Sequence, residues 1–422
     1  MSMSSNDRLL VCLQNQPVGY LDRDDTGRLS FTYEKDAKTP ISLSMPLEGT
    51  TYGDVVCEAF FGGLLPENQQ ARELIARRLN ANADNTFSLL KVIGKECAGA
   101  ISLHDPAQPP SSTNSHKLEG EELTEKRLAG LIRDLPRTPL LAGVEGVRLS
   151  LAGFQNKAGV CLIGGRICLP TEDVPTTHIL KPAMAQHEAT VQNEFLCLSI
   201  ASGLGLPTAK TEIRRAEDQA YVLVERYDRE IIDGTIIRRV HQEDFCQAMG
   251  VVAARKYEAE KGPGFAECFE LLKQSDKPAL DRTTFAKFTV LNYLVGNADA
   301  HGKNFSLLHS PGASTRIAPL YDVLSIIQVY DDLIQNMAMS IGGCFNAADV
   351  TVEDWKKLCK TSGFGFPAFR NLLKEQVASI EEVAEREREK LASSEFQTWV
   401  ADMMILELGR SCNRVRDQFG WP

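Results

Sequence analysis

No Cys-x-x-Cys pair occurs among the eleven cysteines of this 422-residue chain, and no spacing suits a zinc site. The expected state is free, buried thiols, as in a reducing compartment. Cys161 and Cys168 are expected on neighbouring strands. No apolar run approaches the length of a membrane span. The start of the chain lacks the basic, then apolar, then small-residue order of a secretory signal. The chain is therefore expected to be cytoplasmic. Basic residues are in the minority, 46 Lys and Arg against 56 Asp and Glu, for a net charge of −10 and a pI near 5.4. That balance argues against direct nucleic-acid binding as the main activity, which needs a basic footprint. The pairs Arg214-Arg215 and Arg238-Arg239 read as solvated surface. There is no internal repeat and no Walker A ending. What remains is ordinary for a soluble globular protein, 43% apolar and 24% charged, with room for two to three domains.

The most informative stretch is residues 296–322. It holds Asp299, His301, Lys303 and Asn304 within six residues, and Asp322 after a hairpin-like return through Pro311-Gly312. Apolar spacing at Phe285, Phe288, Leu291 and Leu294 predicts a buried helix running into it. Asp299 and Asn304 have the spacing of a phosphotransferase catalytic loop, in which the Asp takes the proton of the attacking hydroxyl and the Asn binds metal. Asp322 fits the second metal ligand, since Mg²⁺ takes one or two carboxylates with phosphate oxygens and water. His301 and Lys303 are open between phosphate contact and loop support. The competing reading is a plain turn, because Asn, Asp and Gly favour loops.

Taken in order, residues 1–105 read as an N-terminal α/β subdomain, with a strand at Arg8–Leu13, a hairpin ending at Leu29–Tyr33 and a helix over Gln69–Leu79. Residues 106–140 read as a linker with a Pro-rich, Ser-rich run at 106–115 and a short helix over 121–134. Residues 141–240 read as a nucleotide-binding lobe. From Arg148, the small-residue loop that includes Ser150, Ala152, Gly153, Phe154, Gln155 and Lys157 can present backbone N–H groups to phosphates, or be a hairpin turn. A hairpin about Gly164-Gly165 follows, then a strand ending in Lys181. That lysine is placed as protein kinases place their phosphate lysine, with Lys157 and Lys303 as competitors. Glu194, on a helix expected to open at Asn193, is a candidate partner for Lys181. The segment at Glu225 and Tyr227 follows an apolar strand where the lobe ends, as an adenine-binding hinge does. Residues 241–422 are expected to be mostly helical and to carry the catalytic loop.

The ordered set Leu65-Pro66-Glu67, Ser150-Leu-Ala-Gly153-x-Gln155-x-Lys157, Thr176-Thr-His-Ile-Leu-Lys181, Asn193-Glu194, Val224-Glu225-Arg226-Tyr227-Asp228-Arg229, Asp299-Ala-His301-Gly-Lys303-Asn304-Phe305 and Tyr321-Asp322 resembles the HipA serine/threonine kinases of bacterial toxin–antitoxin systems. The resemblance implies an α+β, two-lobed protein-kinase-like fold with an N-terminal α/β subdomain and a mostly helical C-terminal domain. It implies ATP and Mg²⁺ as cofactors. Asp299 matches the catalytic base, Asn304 and Asp322 the metal ligands, and Lys181 the phosphate lysine. The loop 150–157, Glu225, Tyr227, His301, Lys303 and Tyr321 fall at the nucleotide site. The family more often shows Phe where Tyr227 stands. Ser150 matches the serine that HipA kinases autophosphorylate to eject the loop and stop ATP binding. The resemblance also implies phosphorylation of an aminoacyl-tRNA synthetase, glutamyl type in the best-known member, which stalls translation and favours persistence. The implied partner is a HipB-like helix-turn-helix antitoxin, with operator DNA held mainly through that complex. Two rival readings stand beside it. One is a lipid or small-molecule kinase, since Asp-x-His-x-x-Asn also resembles phosphoinositide kinases. The other is a catalytically silent partner of a DNA-binding repressor.

Overall fold

The computed structural model describes residues 7–111, 113–144, 149–171, 174–184, 187, 189–310, 314–326 and 336–422. Arg148, the Pro311-Gly312 turn and Ser112 of the polar run lie outside these residues. The chain divides into two compact units. One comprises Met1–Pro182, Arg214–Ala254 and Leu307–Ser314; the other comprises Ala183–Ile213, Arg255–Ser306 and Thr315–Pro422. The units thus cut across the linear boundaries at 105, 140 and 240.

In the first unit, the expected strand Arg8–Leu13 pairs antiparallel with Gln16–Arg23, which pairs with Leu29–Tyr33. Thr51–Tyr52 and Ile101–His104 complete a five-stranded sheet. Phe31, Phe60, Phe61 and Phe87 fill the core against it. The helix Gln69–Leu79 starts where Asn68 accepts from the Ala71 N–H and stops at Asn80, which takes the left-handed conformation (φ 53°). A second sheet of six strands carries the nucleotide-lobe hairpin. Ala158–Ile163 and Arg166–Pro170 pair in register about Gly164-Gly165, both at positive φ. His178–Pro182, the strand with Lys181, lies between Ala158–Ile163 and Gln219–Glu225.

The segment at 106–140 is more than a linker. Ser115–Lys117 and Gly120–Glu122 are short strands that pair with Ile236–Arg239 and Arg166–Pro170. The helix begins at Glu125, capped by Thr124, and ends at Asp134. Its Leu128, Ala129 and Ile132 are buried in the same core as the two sheets. Helical spacing of those apolar residues outweighs the polar run before them.

The second unit is built on helices Thr190–Gly203, Pro278–Leu294, Phe366–Ala392 and Trp399–Phe419. The first opens three residues before Asn193. Phe269 and Phe305 pack edge-on against Phe285, with ring centroids 5.0 Å away in each case, and Tyr293 packs edge-on against Trp355. The C-terminal region is mostly helical, as expected, and also carries strands. Asn336–Ile341 and Cys344–Asn346 form a hairpin about Gly342-Gly343. Glu243 and Asp244 finish the strand His241–Asp244, and Asp244 then caps the helix that follows. The helix after it, Phe245–Ala248, is one turn closed by a capping box between Asp244 and Gln247.

All eleven cysteines are free, and all but Cys344 are buried. Cys161 and Cys168 face each other in register. Burial pushes the thiols of Cys57, Cys97 and Cys197 up to about 12, which leaves them inert at neutral pH.

The first unit also buries polar groups. Glu243 is fully buried and accepts from Ser42 Oγ (2.5 Å), the Leu43 N–H (3.0 Å) and His309 Nε2 (3.0 Å). His309 stacks on His241, whose Nε2 donates to the Ile41 carbonyl at 2.8 Å. Burial foremost, then the neighbouring His309, pushes His241 down to about 3. The unfolded histidine takes up its proton near its ordinary value of 6.5, and the folded one does not. The unfolded state therefore binds more protons between these values, and stability falls as pH drops through that range. His241→Gln keeps a donor for Ile41 and removes the titration. Urea midpoints measured at about pH 7 and about pH 5 should then fall less in the variant than in the parent chain.

Candidate functional site

The catalytic-loop candidates all lie in the second unit. Helix Pro278–Leu294 ends and the chain turns at Gly296, which has φ 69°. Asn297 fastens the turn: its Nδ2 donates to Asn292 Oδ1 at 2.7 Å, and its Oδ1 accepts from the Asp299 N–H at 3.2 Å. The Ala298 carbonyl accepts from the Ala338 N–H at 2.7 Å, so the loop is tied to the strand Asn336–Ile341. Asp299 then projects a side chain that is 39% exposed, while its neighbours are buried.

Residues Gly302–Asn304 form one 3-10 turn that brings Asn304 back to Asp299. Asn304 Nδ2 donates to the Asp299 carbonyl at 2.8 Å. With the nitrogen so engaged, Oδ1 is the atom the amide has left for a cation. The His301 ring is buried, with Nε2 3.8 Å from Asp299 Oδ1. Lys303 is buried as well, and its carbonyl accepts from Tyr321 Oη at 2.8 Å. Tyr321 Oη also lies 2.7 Å from Ser306 Oγ. Tyr321 thereby joins the return segment to the catalytic loop.

Asp322 has φ 57°, a left-handed conformation that costs a non-glycine residue energy. It is held on both sides. Leu320 exchanges backbone hydrogen bonds with the Pro207–Ala209 stretch, both 2.8 Å. Ser325 exchanges two with the Asn193 side chain, again both 2.8 Å. The role of Asn193 is thus to anchor the segment bearing Asp322. Asp322 and Asn304 carry side-chain oxygens of the kind Mg²⁺ prefers. Among the described residues there is no cluster of three or more His, Cys, Asp or Glu side chains able to form a complete cage. An ion here would draw its remaining ligands from phosphate and water.

One residue that the sequence does not single out is Tyr257. Its hydroxyl donates to Asp299 Oδ1 at 2.8 Å, and its ring packs edge-on against His301 at 5.3 Å.

The nucleotide-lobe candidates lie in the first unit. Ser150 is fully buried; its Oγ donates to the Leu64 carbonyl (2.8 Å) and its N–H to the Glu96 carbonyl (2.7 Å). Gly153 forms a bridge with Pro66, and its carbonyl accepts from the Glu67 N–H at 3.3 Å. The segment Leu65-Pro66-Glu67 is therefore the seat of the small-residue loop. Gly153 has φ 103°, and a Cβ there would lie 2.5 Å from Lys157 Nζ. That nitrogen donates to the Ala152 carbonyl at 2.6 Å, folding the loop on itself. Gln155 Nε2 donates to the Pro182 carbonyl at 2.9 Å, next to the buried Lys181. Phe154 is the loop's exposed apolar side chain, 64% accessible.

At the hinge candidate, Glu225 pairs in register with His178, and the Tyr227 hydroxyl donates to Gln242. The residues between and after them do something else. Arg226 binds Asp228 through Nε (3.0 Å) and Nη2 (2.9 Å), and Glu96 through Nη1 (3.0 Å). Arg229 Nη2 reaches Glu96 at 3.0 Å. The Gly99 N–H and Thr176 Oγ1 complete the shell, on Asp228 (2.7 Å) and Glu96 (2.8 Å). Burial works to raise Asp228, but Arg226 and Arg229 outweigh it and bring it to about 2. These charges are structural: they weld residues 226–229 to residues 96–99.

A family model described as HipA N-terminal domain matches residues 9–104, and one described as HipA-like C-terminal domain matches residues 149–389. The chain is 40% identical over 378 residues to Y4mE of Sinorhizobium fredii, named as a kinase, covering 87% of this chain and 89% of that one. It is 30% identical over 403 residues to the serine/threonine-protein kinase toxin HipA of Shewanella oneidensis, covering 92% and 89%. Among solved structures, a chain from the Shewanella oneidensis complex of HipA, HipB and operator DNA superposes with a TM-score of 0.83 at 26% identity, covering 98% of both chains. Among the described residues no helix is long and apolar enough to cross a membrane.

Proposed function

This chain belongs to the HipA family and is a serine/threonine kinase, and on that premise we propose that it is the ATP- and Mg²⁺-dependent toxin of a toxin–antitoxin pair. The observation that carries the reading is the pairing of Asp299 and Asn304. An exposed carboxylate stands on a buried loop, and the amide bound to its backbone keeps an oxygen for a cation. In the proposed reaction, the acceptor serine gives its proton to Asp299 as its oxygen bonds to the terminal phosphorus of ATP and the bond to ADP breaks. Asn304 and Asp322 would hold Mg²⁺, which would supply positive charge to neutralise the phosphates. Lys181 and the loop 150–157 hold the phosphates, and Glu225 and Tyr227 the adenine edge. The function is proposed to be cytoplasmic, with 1–105 as an N-terminal α/β subdomain, 106–140 as the segment carrying a short helix, 141–240 as the nucleotide-binding lobe and 241–422 as the helical lobe with the catalytic loop.

Family resemblance further supports a HipB-like antitoxin as partner, operator DNA through that partner, and an aminoacyl-tRNA synthetase of glutamyl type as acceptor, with persistence as the outcome. Incubating the purified chain with radiolabelled ATP, Mg²⁺ and a cell lysate tests this. A labelled synthetase is the expected result, and a labelled lipid or no label would overturn it.

The second element is self-inhibition at Ser150. A phosphate there adds about two negative charges against the Leu64 and Glu96 carbonyls that now receive the Ser150 hydroxyl and N–H. The docked loop could not accommodate it. Peptide mapping after incubation with ATP and Mg²⁺ should find phosphate on Ser150, and Ser150→Ala should sustain turnover for longer than the parent chain. Unmodified Ser150 with undiminished turnover would count against the device.

A further inference from the structure

We propose that Tyr257 is a positioning residue for the catalytic base, a role that rests on the reading of Asp299 as that base. The Tyr257 hydroxyl donates to Asp299 Oδ1 at 2.8 Å. A phenol bound to one carboxylate oxygen fixes the carboxylate plane, and with it the direction from which Oδ2 meets the acceptor hydroxyl.

The contact is built into the fold. The strand Asn336–Ile341 anchors both partners. Its Ala338 N–H donates to the Ala298 carbonyl at 2.7 Å, next to Asp299. Its Ser340 donates through N–H (2.5 Å) and Oγ (2.7 Å) to the carboxylate of Glu258, next to Tyr257. The phenol and the carboxylate are therefore spaced by one common frame. The Tyr257 segment is stiff for a second reason. The Tyr257 carbonyl accepts from the N–H groups of Glu260 (3.0 Å) and Gly262 (2.9 Å). A Cβ at Gly262 would lie 2.0 Å from the Arg255 carbonyl oxygen, so the tight loop depends on glycine there. The ring also rests edge-on against His301. His301 thus supports the phenol as well as lying 3.8 Å from the carboxylate.

A strut that only stabilises the loop would change melting temperature and leave the chemistry alone. A positioning residue changes the chemistry while nucleotide binding stays as it was. Tyr257→Phe keeps the ring on His301 and deletes only the hydroxyl. ADP release is measured with casein as serine acceptor, as kcat and as KM for ATP. The expected result is a fall in kcat of about tenfold with KM for ATP unchanged. In an Asp299→Asn background the same substitution should have no further effect, because its action passes through the carboxylate. A Tyr257→Phe chain with unchanged kcat overturns the proposal, whatever its melting temperature. An unchanged KM for ATP identifies a folded variant. The failure of the base reading is a different result: Asp299→Asn alone would retain parental turnover.

Discussion

Asp299→Asn folds as the parent chain does and loses phosphate transfer, by about 10² to 10⁴-fold. The reasons are local. The side chain is 39% exposed, so no core packing depends on it. The amide presents an oxygen of the same shape to the Tyr257 hydroxyl, and the backbone bond from Asn304 does not involve the side chain at all. What vanishes is the capacity to accept a proton from the attacking hydroxyl. Thermal melting and the initial rate of ADP release, measured on one preparation, separate the two effects. A rate within tenfold of the parent would remove Asp299 from the base role, and a collapsed melting curve would show that the loop's geometry depends on the charge.

Asp228→Ala has the opposite profile, with a large cost to stability and no chemistry of its own. Asp228 is buried with Arg226, Arg229 and Glu96, and removing it leaves two guanidinium groups sharing one carboxylate. Breaking a buried ion pair by deleting one partner costs about 3–5 kcal/mol. The urea midpoint reads this out, and a change under about 1 kcal/mol would show that solvent or Glu96 compensates. The same cluster has a pH signature. Asp228 titrates near 2 in the folded chain, against an ordinary 3.8. Its contribution is present above the unfolded value and is lost as pH falls through the folded one, because the unfolded chain binds the proton first. The parent chain should therefore lose stability in strong acid by a component that Asp228→Asn lacks.

The parts of the site legible in the sequence are those made by neighbours in the chain. Asp299 and Asn304 share one short loop, and the hydrogen bond between them follows from their spacing. The Gly164-Gly165 hairpin and the Asn68-capped helix likewise announce themselves through turn and cap residues. Gly342-Gly343 carries the same turn signal, within a region expected to be mostly helical. The rest depends on contacts across long stretches of sequence. Tyr257 is 42 residues from Asp299, and Glu96 is 130 from Arg226. No local pattern joins such pairs. Arg226, Asp228 and Arg229 stand in a run that reads as a hinge, yet only the fold reveals that their side chains turn inward to Glu96. The helix Glu125–Asp134 was legible, but its burial in the core of both sheets was not, since the polar run before it suggested a connector.

That inward turn bears on how the gene can be cut. The two family models divide the chain into a piece at 9–104 and a piece at 149–389, as if they were modules to be shuffled. The ion cluster contradicts that modularity. Glu96 and the carbonyl of Cys97 belong to the first piece, while the two arginines they satisfy belong to the second. The small-residue loop also rests its Ser150 on Leu64 and Glu96. A clone expressing only the second piece would expose the faces of Arg226 and Arg229 and leave the loop without a seat. The folding unit therefore spans both pieces, and separating them carries a folding penalty.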